Sequence, residues 1–346
     1  MALIKAPPAE EIITVDELKT LLETNAHPKA YDGFEPSGIP HIGTGLMRAL
    51  YGKDLMDAGI DFIVLLADWH AYLNNKMGGD MEKIHQAGAF FAKVWELLGF
   101  RPRIVWASEL VEDSEYWATL MKISKDVTVA RIKRAAPIMG RKETEMQNAS
   151  FLLYPLMQAT DIKMLDVDIC QLGMDQRRVN VLYREIAEKF KWKKPVLVHH
   201  HLLMGLQARG RMDYTREDVQ MEFKMSKSKP ETAIYVTDSP EDIRRKLRKA
   251  YCPAKELENN PVIDIVRHII LRREGDELTI ERPEKFGGTV TYTSFEHLAG
   301  DFREGKLHPL DLKNAVAEWL VAALEPVRKY VEKHPEILEI MGHITR

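Results

Sequence analysis

Cysteine is almost absent from this chain of 346 residues, which contains only Cys170 and Cys252. The two lie far apart and belong to no CxxC or Cys/His pattern, so the sequence predicts neither a disulfide framework nor a structural zinc site. Long apolar runs are also absent: no stretch reaches the ~18 apolar residues of a membrane span, and the N-terminal segment lacks the basic-then-apolar order of a secretion signal. We therefore expect a cytoplasmic protein with no membrane partner.

The composition is that of a globular chain. Hydrophobic residues make up 45% of it and charged residues 29%, which at this length is enough for a full core divided between two domains. The net charge of -3 argues against a general attraction to polyanions, although local basic clusters could still bind phosphates.

Strand and helix patterns alternate over the first two thirds of the chain. Apolar residues at helical spacing predict a helix over 45–58, and a second helix ends at Gly99. Between them, DFIVLLAD at 61–68 is typical of a strand buried on both faces, and RIVWAS at 103–108 is a second short strand. The alternation predicts the α/β class, with a Rossmann-like, doubly wound parallel sheet that binds ligands at the carboxyl ends of its strands.

The pattern changes past residue 236. SPEDIRRKLRKAY and DLKNAVAEWLVAALEPVRKYV are long amphipathic helices, and the first begins with Ser239 as N-cap and Pro240 in the first turn. We predict a catalytic domain over 1–236 and a mainly α-helical C-terminal domain over 237–346.

Two short fragments predict a phosphate-binding site. SGIPHIGTG at 37–45 places His41 in a turn ahead of a helix, and KMSKSK at 224–229 is a lysine-rich loop. A loop of lysines and serines is by itself typical of solvated surface, and His41 alone could be a turn residue. As a pair in this order, the fragments resemble the HIGH and KMSKS signatures of class I aminoacyl-tRNA synthetases, which together bind ATP.

The resemblance implies a reaction in which an amino-acid carboxylate attacks the α-phosphorus of ATP in line, so that catalysis is mostly positioning and charge stabilisation. His41 is then expected to donate a hydrogen bond near the reacting phosphate, while Lys224 and Lys227 hold the departing pyrophosphate. ATP with Mg²⁺ is a substrate in this scheme, and no tightly bound cofactor is expected. The other residues that the resemblance assigns to ATP are Gly43, Thr44, Asp175, Met225, Ser226 and Ser228.

Seven further fragments, spread over nearly the whole chain, look like the archaeal and eukaryotic type of tyrosyl-tRNA synthetase. They are AYDGFEPSG (30–38), LLADWHAYL (65–73), YPLMQATDI (154–162), LGMDQRRVN (172–180), KAYCPA (249–254), RPEKFGG (282–288) and HPLDLKNAV (308–316). The resemblance implies L-tyrosine, ATP and tRNA(Tyr) as partners, and a homodimer.

Selecting tyrosine over phenylalanine requires hydrogen bonds to a phenolic hydroxyl, because the polar groups of a buried pocket stay unpaired when the hydroxyl is missing. By resemblance, Tyr31 and Asp161 bind that hydroxyl. Tyr31 could instead be a core tyrosine and His70 a satisfied interior histidine, whereas Asp161 in an apolar helical stretch is costly to bury without a role. The other pocket residues are expected to hold the ammonium group (Tyr154, Gln158) and the carboxylate (Gln176), or to form the floor (Gly33, Glu35) and the wall (Leu65, Ala67, His70).

The C-terminal region carries the expected RNA contacts. By resemblance, Phe286, His308 and Asp311 read the first anticodon base, since an aromatic ring and a carboxylate acceptor together suit guanine. Basic residues at the acceptor end map by resemblance onto Arg134, Arg177 and Lys313, although exposed basic side chains are also ordinary surface.

The run His199–His201 predicts no metal site, because adjacent side chains of an extended strand point to opposite faces and no Cys or acidic cluster completes a site. By resemblance, His199 is expected near the nucleotide.

The chain departs from the family pattern at Thr44, where the HIGH signature has its second histidine, and in the 207–223 loop, which is longer than expected. Threonine donates one hydrogen bond but carries no charge, so transition-state stabilisation is expected to weaken by about 1 to 3 kcal/mol.

Two alternatives stay open. The first is a tryptophan enzyme of the same class, against which the pair Tyr31 and Asp161 argues, because indole offers a donor and no acceptor. The second is a non-catalytic RNA-binding paralogue, which Thr44 favours and the intact Lys224, Lys227, Asp175 and Gln176 oppose. Asp32, next to the pocket, leaves open a preference for a tyrosine analogue.

Overall fold

A computed structural model of the chain describes residues 1–140, 148–207, 224–225 and 230–342. The strands of its main sheet are β1 (Ala9–Ile13), β2 (Lys29–Phe34), β3 (Asp61–Leu66), β4 (Arg103–Trp106), β5 (Ile169–Gly173) and β6 (Val196–His200). Among the described residues they form one six-stranded sheet in the order β1-β6-β5-β2-β3-β4. All neighbouring pairs are parallel except β1 with β6.

The helices pack on both faces of this sheet and extend past it. Those of the first two thirds are α1 (Ala2–Lys5), α2 (Val15–Thr24), α3 (Arg48–Asp57), α4 (Asp68–Leu73), α5 (Met81–Leu97), α6 (Ala107–Val111), α7 (Ser114–Asp126), α8 (Val129–Ala135), α9 (Ser150–Leu165) and α10 (Arg177–Phe190). Those that follow are α11 (Pro240–Lys249), α12 (Pro261–Ile265), α13 (Phe295–Glu304), α14 (Pro309–Ala323), α15 (Glu325–Lys333) and α16 (Glu336–Gly342).

The strand order reverses between β2 and β5. From β2 the chain moves outward to β3 and β4, whereas β5 pairs on the other side of β2 and leads to β6. Such a reversal opens a crevice at the carboxyl ends of the two central strands, where doubly wound sheets bind their ligands. The predicted parallel sheet is therefore confirmed, and its binding crevice lies beyond β2 and β5.

The region past residue 236 is mainly helical, as predicted. Helix α11 begins as its sequence indicates, with Pro240 first and the Ser239 hydroxyl accepting a hydrogen bond from the Asp242 amide. An antiparallel hairpin of β7 (Leu278–Ile280) and β8 (Val290–Tyr292) was not predicted, because each strand has only three residues. In the described ranges no helix combines the length and the apolar content that crossing a membrane requires.

The predicted helix over 45–58 is a π-helical turn, Gly43–Met47, that continues as α3. Its start is hydrogen-bonded to the chain just before α11: the Ile42 amide donates to the Ile234 carbonyl at 2.8 Å, and the Val236 amide to the Pro40 carbonyl at 3.0 Å. A Cβ added at Gly45 would lie 2.5 Å from Val236 Cγ1, so this approach requires glycine. One hydrophobic cluster continues across residue 236 and joins the two regions.

Candidate active site

A cavity of about 350 Å³ lies at the carboxyl ends of β2 and β5, a size typical of small-ligand sites. Side chains from both halves of the sheet and from the start of α3 line it. The predicted site residues among them are Tyr31, Gly33, Glu35, His41, Gly43, Thr44, Leu65, Ala67, His70, Tyr154, Gln158, Asp161, Asp175, Gln176, Lys224 and Met225. Ser226, Lys227 and Ser228 lie outside the described residues.

The deep end of this cavity contains Asp161, which α9 holds almost fully buried. One of its carboxyl oxygens accepts a hydrogen bond from the Tyr116 hydroxyl at 2.9 Å, and the other lies 3.2 Å from His70 Nε2. Burial raises the pKa of Asp161 to about 8, against the opposing hydrogen bond from Tyr116, and burial also lowers the pKa of His70 to about 4. Near neutral pH both groups are therefore mostly uncharged.

Several polar atoms at this deep end are buried without a hydrogen-bond partner among the described residues. They are the Tyr31 hydroxyl, Asp161 Oδ2 and both ring nitrogens of His70. A buried polar atom left unpaired costs about 1–3 kcal/mol. Because these atoms line one cavity, they form a polar site that a ligand hydroxyl would complete.

A second polar cluster surrounds Glu35, at the end of β2. Its carboxylate accepts hydrogen bonds from the Tyr154 hydroxyl at 2.8 Å and from Asn74 Nδ2 at 2.8 Å, and Lys76 Nζ lies 3.3 Å away. Gln158 donates to Gln176 Oε1 at 3.2 Å nearby. Asn74 and Lys76 were not predicted, because nothing in their local sequence marks them as neighbours of Glu35.

His41 lies at the opposite end of the cavity. Its Nδ1 accepts a hydrogen bond from the Gly43 amide at 3.1 Å, which places the proton of a neutral ring on Nε2, the arrangement that suits a donor to phosphate. A Cβ at Gly43 would lie 2.9 Å from the His41 ring, so a side chain there would displace that ring. Thr44 donates to the His41 carbonyl at 3.3 Å, and Trp95 Nε1 donates to the Thr44 carbonyl at 3.0 Å.

Lys224, the first residue of KMSKSK, pairs with Asp175. Its Nζ lies 2.8 Å from Asp175 Oδ2, and both side chains are partly exposed. The Met225 amide donates to the Leu203 carbonyl at 2.6 Å, and Lys224 forms a β-bridge with Met204. The start of this fragment is thus anchored to the segment that follows β6.

A buried ionic network in the wall of the cavity was not predicted. The Arg48 guanidinium donates to the Asp32 carboxylate and to Gln171 Oε1, and it lies 3.1 Å from His200 Nδ1. Burial raises the pKa of Asp32 to about 7, although Arg48 opposes the shift. The available signal was Asp32 itself, since a carboxylate in a fully buried strand requires a partner.

Replacing Arg48 with methionine is expected to lower the free energy of unfolding by about 3–5 kcal/mol, because it leaves the Asp32 carboxylate buried without its cation. The loss should be larger at about pH 8.5 than at about pH 5.5, since the carboxyl is protonated at the lower pH. Urea unfolding at both pH values measures it. The double variant Arg48→Met/Asp32→Asn should recover much of the stability, and equal losses in the single and double variants would contradict the network.

His199 does not lie in the cavity, contrary to expectation. Its Nδ1 donates to Glu11 at 2.9 Å and its Nε2 lies 3.0 Å from Asn180 Nδ2, so the ring is held between β1 and α10. The neighbouring His200 and His201 line the cavity instead.

The predicted RNA contacts lie on different parts of the surface. Arg134 is exposed in α8, and Arg177 donates to the Glu11 carboxylate at 3.0 and 2.9 Å. Lys313, expected with them, instead lies two residues beyond Asp311 in α14, about 3 Å along the helix. His308 caps the same helix by accepting the Leu310 amide at 3.2 Å. The side chain of Phe286 lies outside the described part.

Comparison with known protein families identifies the class of enzyme. The family model described as tRNA synthetases class I (W and Y) matches residues 23–325, and the chain belongs to that family.

Within the family, the similarity is to the tyrosine enzymes. The tyrosine–tRNA ligase of Pyrococcus furiosus is 48% identical over 99% of this chain and 97% of its own length, and that of Aeropyrum pernix is 49% identical over 97% and 95%. The crystal structure of tyrosyl-tRNA synthetase from Pyrococcus horikoshii, complexed with L-tyrosine, has a TM-score of 0.91 at 47% identity and covers 99% of this chain and 98% of its own. A tryptophanyl-tRNA synthetase from Aeropyrum pernix, at 19% identity and a TM-score of 0.64, shares the fold.

Proposed function

We propose that this chain activates L-tyrosine with ATP and then transfers the tyrosyl group to the 3′ end of tRNA(Tyr). The observation that carries the proposal is the set of unpartnered polar atoms on Tyr31, His70 and Asp161 at the deep end of the cavity. A phenolic hydroxyl is both donor and acceptor, so it suits a site that holds a tyrosine hydroxyl beside a carboxyl group. Indole has a donor only, so it would offer no acceptor to the donors of this site.

Tyrosine lies along the cavity in this proposal. Its hydroxyl binds Tyr31 and Asp161, and its ammonium group reaches Tyr154 and Gln158 near the Glu35 carboxylate. Gln176, whose amide already contacts Gln158, holds the carboxylate. The acceptor-rich end at Glu35 favours a cation, which agrees with placing the ammonium group there.

ATP, as its Mg²⁺ complex, occupies the end of the cavity near His41 and Lys224. The tyrosine carboxylate oxygen forms a bond to the α-phosphorus while the bond from that phosphorus to the bridging oxygen breaks, and pyrophosphate leaves with the electron pair. His41 donates to the reacting phosphate, and Lys224 with Lys227 offsets the charge on pyrophosphate. Asp175 accepts from a ribose hydroxyl through the carboxylate oxygen that does not pair with Lys224.

Pyrophosphate exchange measured with each amino acid in turn tests the activity. We expect exchange with tyrosine and a much slower rate with phenylalanine and with tryptophan. Exchange driven by tryptophan would identify the alternative enzyme of this class, and exchange with no amino acid would leave only a non-catalytic RNA-binding role.

Residues 237–346 form the anticodon-binding domain in this proposal, with Phe286, His308 and Asp311 at the first anticodon base. Arg134, Arg177 and Lys313 serve the acceptor end, and the chain acts as a homodimer. Sedimentation velocity tests the dimer, which rests on family resemblance.

Asp311→Ala is expected to reduce tRNA charging about 10-fold or more while pyrophosphate exchange stays unchanged, since a lost base contact costs roughly 1–3 kcal/mol. Aminoacylation and exchange assays on the same preparation measure both steps. Glu332→Ala, which removes an exposed carboxylate from the neighbouring α15, should change neither. An equal fall of both steps in Asp311→Ala would remove Asp311 from the anticodon site.

A further inference from the structure

A second cavity, of about 920 Å³, lies between the end of β6 and the helices α12 and α13. His201, Asp264 and His268 line it, and the proposed function uses none of them. Their side-chain ligand atoms all lie within 4.8 Å of one another. His201 also lines the active-site cavity, so the two sites share one residue.

The distances within this trio suit a shared cation. Asp264 Oδ1 lies 2.8 Å from His201 Nε2 and 3.6 Å from His268 Nε2. Ligands at the usual zinc bond lengths of about 2.0–2.2 Å in a tetrahedral site lie roughly 3.3 Å apart, between these two values. His201 Nε2 is buried, and the Asp264 carboxylate faces it at 2.8 Å.

The surroundings orient these atoms. Glu10 accepts a hydrogen bond from His201 Nδ1 at 3.1 Å, and a carboxylate on the far nitrogen of an imidazole is the usual support of a metal-binding histidine. The Met204 amide donates to Asp264 Oδ2 at 2.9 Å, which leaves Oδ1 for the trio. These bonds hold His201 and Asp264 in place, and the His268 ring stacks on that of His201 with the centroids 4.0 Å apart.

The backbone at His268 is unusual as well. His268 lies in a π-helical turn, Val266–Ile270, that follows α12, and Asp264 precedes it by four residues. Short π-helical turns occur frequently at functional sites, where they redirect a side chain. Here the turn presents His268 on the side of Asp264 and His201.

We propose that His201, Asp264 and His268 bind a divalent transition-metal ion, with zinc the first candidate, and that the cavity supplies water as the remaining ligand. Two imidazoles with one carboxylate favour zinc and its neighbours over magnesium or calcium, which take oxygen ligands. The inference is independent of the proposed tyrosine activation.

A bound ion would restrict the motion of Lys224 and Met225, the first residues of the KMSKSK fragment. Asp264 holds the Met204 amide, Met204 pairs with Lys224, and Leu203 accepts the Met225 amide. The metal would therefore fix the segment to which Lys224 is anchored.

The competing arrangement is an ion pair without metal. Burial lowers the pKa of His201, but Asp264 and Glu10 outweigh it and raise the value to about 10. A protonated His201 beside Asp264 would satisfy the charges without a cation, and a metal must displace that proton to bind.

Calorimetric titration of the chelator-treated full chain with Zn²⁺ tests the site, and Co²⁺ reports its geometry through visible absorption. We expect about one ion per chain, at least 10-fold weaker binding in His268→Gln, and roughly 10- to 100-fold weaker binding in Glu10→Gln, which removes only the supporting carboxylate. His297→Gln is the matched control, because His297 forms an exposed pair with Asp301 at the same four-residue spacing.

Several results would overturn the proposal. Absence of Zn²⁺ and Co²⁺ binding by the folded parent chain would establish the metal-free ion pair. If His297→Gln weakens binding while His268→Gln and Glu10→Gln leave it intact, the ion binds at the surface. If His268→Gln does not fold, Glu10→Gln decides between these outcomes.

Discussion

Asp161→Ala is expected to lower kcat/KM for tyrosine by roughly 100- to 1000-fold in pyrophosphate exchange, because the substrate hydroxyl loses a partner and Tyr116 and His70 lose a neighbour inside a buried site. Discrimination against phenylalanine should fall as well. Sites that hydrogen-bond a substrate hydroxyl reject the analogue without that hydroxyl by about 10⁴- to 10⁵-fold. The upper figure itself comes from tyrosine enzymes of this kind, compared with phenylalanine.

Two variants sharpen this test. Asp161→Asn keeps the shape of the side chain and should lose less activity than Asp161→Ala, since the carboxyl is mostly protonated near neutral pH. Asp166→Asn changes an exposed carboxylate at the end of the same helix and should leave tyrosine kinetics unchanged. Unaltered tyrosine kinetics in a folded Asp161→Ala protein would remove Asp161 from the pocket.

Lys224→Ala is expected to lower kcat for tyrosyl-adenylate formation by about 100- to 1000-fold, the range for losing one group that stabilises transition-state charge. The Kd for tyrosine should not change, because Lys224 lies at the ATP end. The KM for ATP should change less than kcat, since the lysine is paired with Asp175 before ATP binds and contributes mainly in the transition state. Single-turnover adenylate formation and tyrosine binding by fluorescence provide these values.

Lys224→Arg keeps the charge and should restore part of the rate. Lys83→Ala removes an exposed lysine that pairs with Asp80 on the surface and serves as the control. A large loss of tyrosine affinity in Lys224→Ala, with kcat preserved, would contradict the assigned role.

Periodicity was sufficient to predict the sheet and its crevice. The run 61–68 is typical of a strand buried on both faces, and its alternation with helices predicts a parallel sheet, whereas the antiparallel pairing of β1 with β6 was not predicted. The active-site cavity followed from motif resemblance, because His41 and Lys224 are 183 positions apart and no local pattern links them.

The unpredicted features depend on contacts between distant segments. Arg48, Gln171 and His200 come from three elements, and only the folded sheet brings them to Asp32. The run His199–His201 was not predicted to bind a metal, and the grouping of His201 with Asp264 and His268 could not be foreseen, since Asp264 lies 63 residues further on.

The backbone bonds between Pro40–Ile42 and Ile234–Val236 hold the turn that carries His41 against the segment that leads into α11. The turn that carries His41 keeps its shape only while the later segment lies against Gly45 and closes the shared apolar cluster. A chain that ended at residue 236 would keep those backbone bonds but would expose the part of the cluster that the later helices cover, so the region proposed to bind RNA also supports the turn that carries His41. Substitutions deep in α11 or α14 can therefore lower the rate of amino-acid activation without touching either substrate.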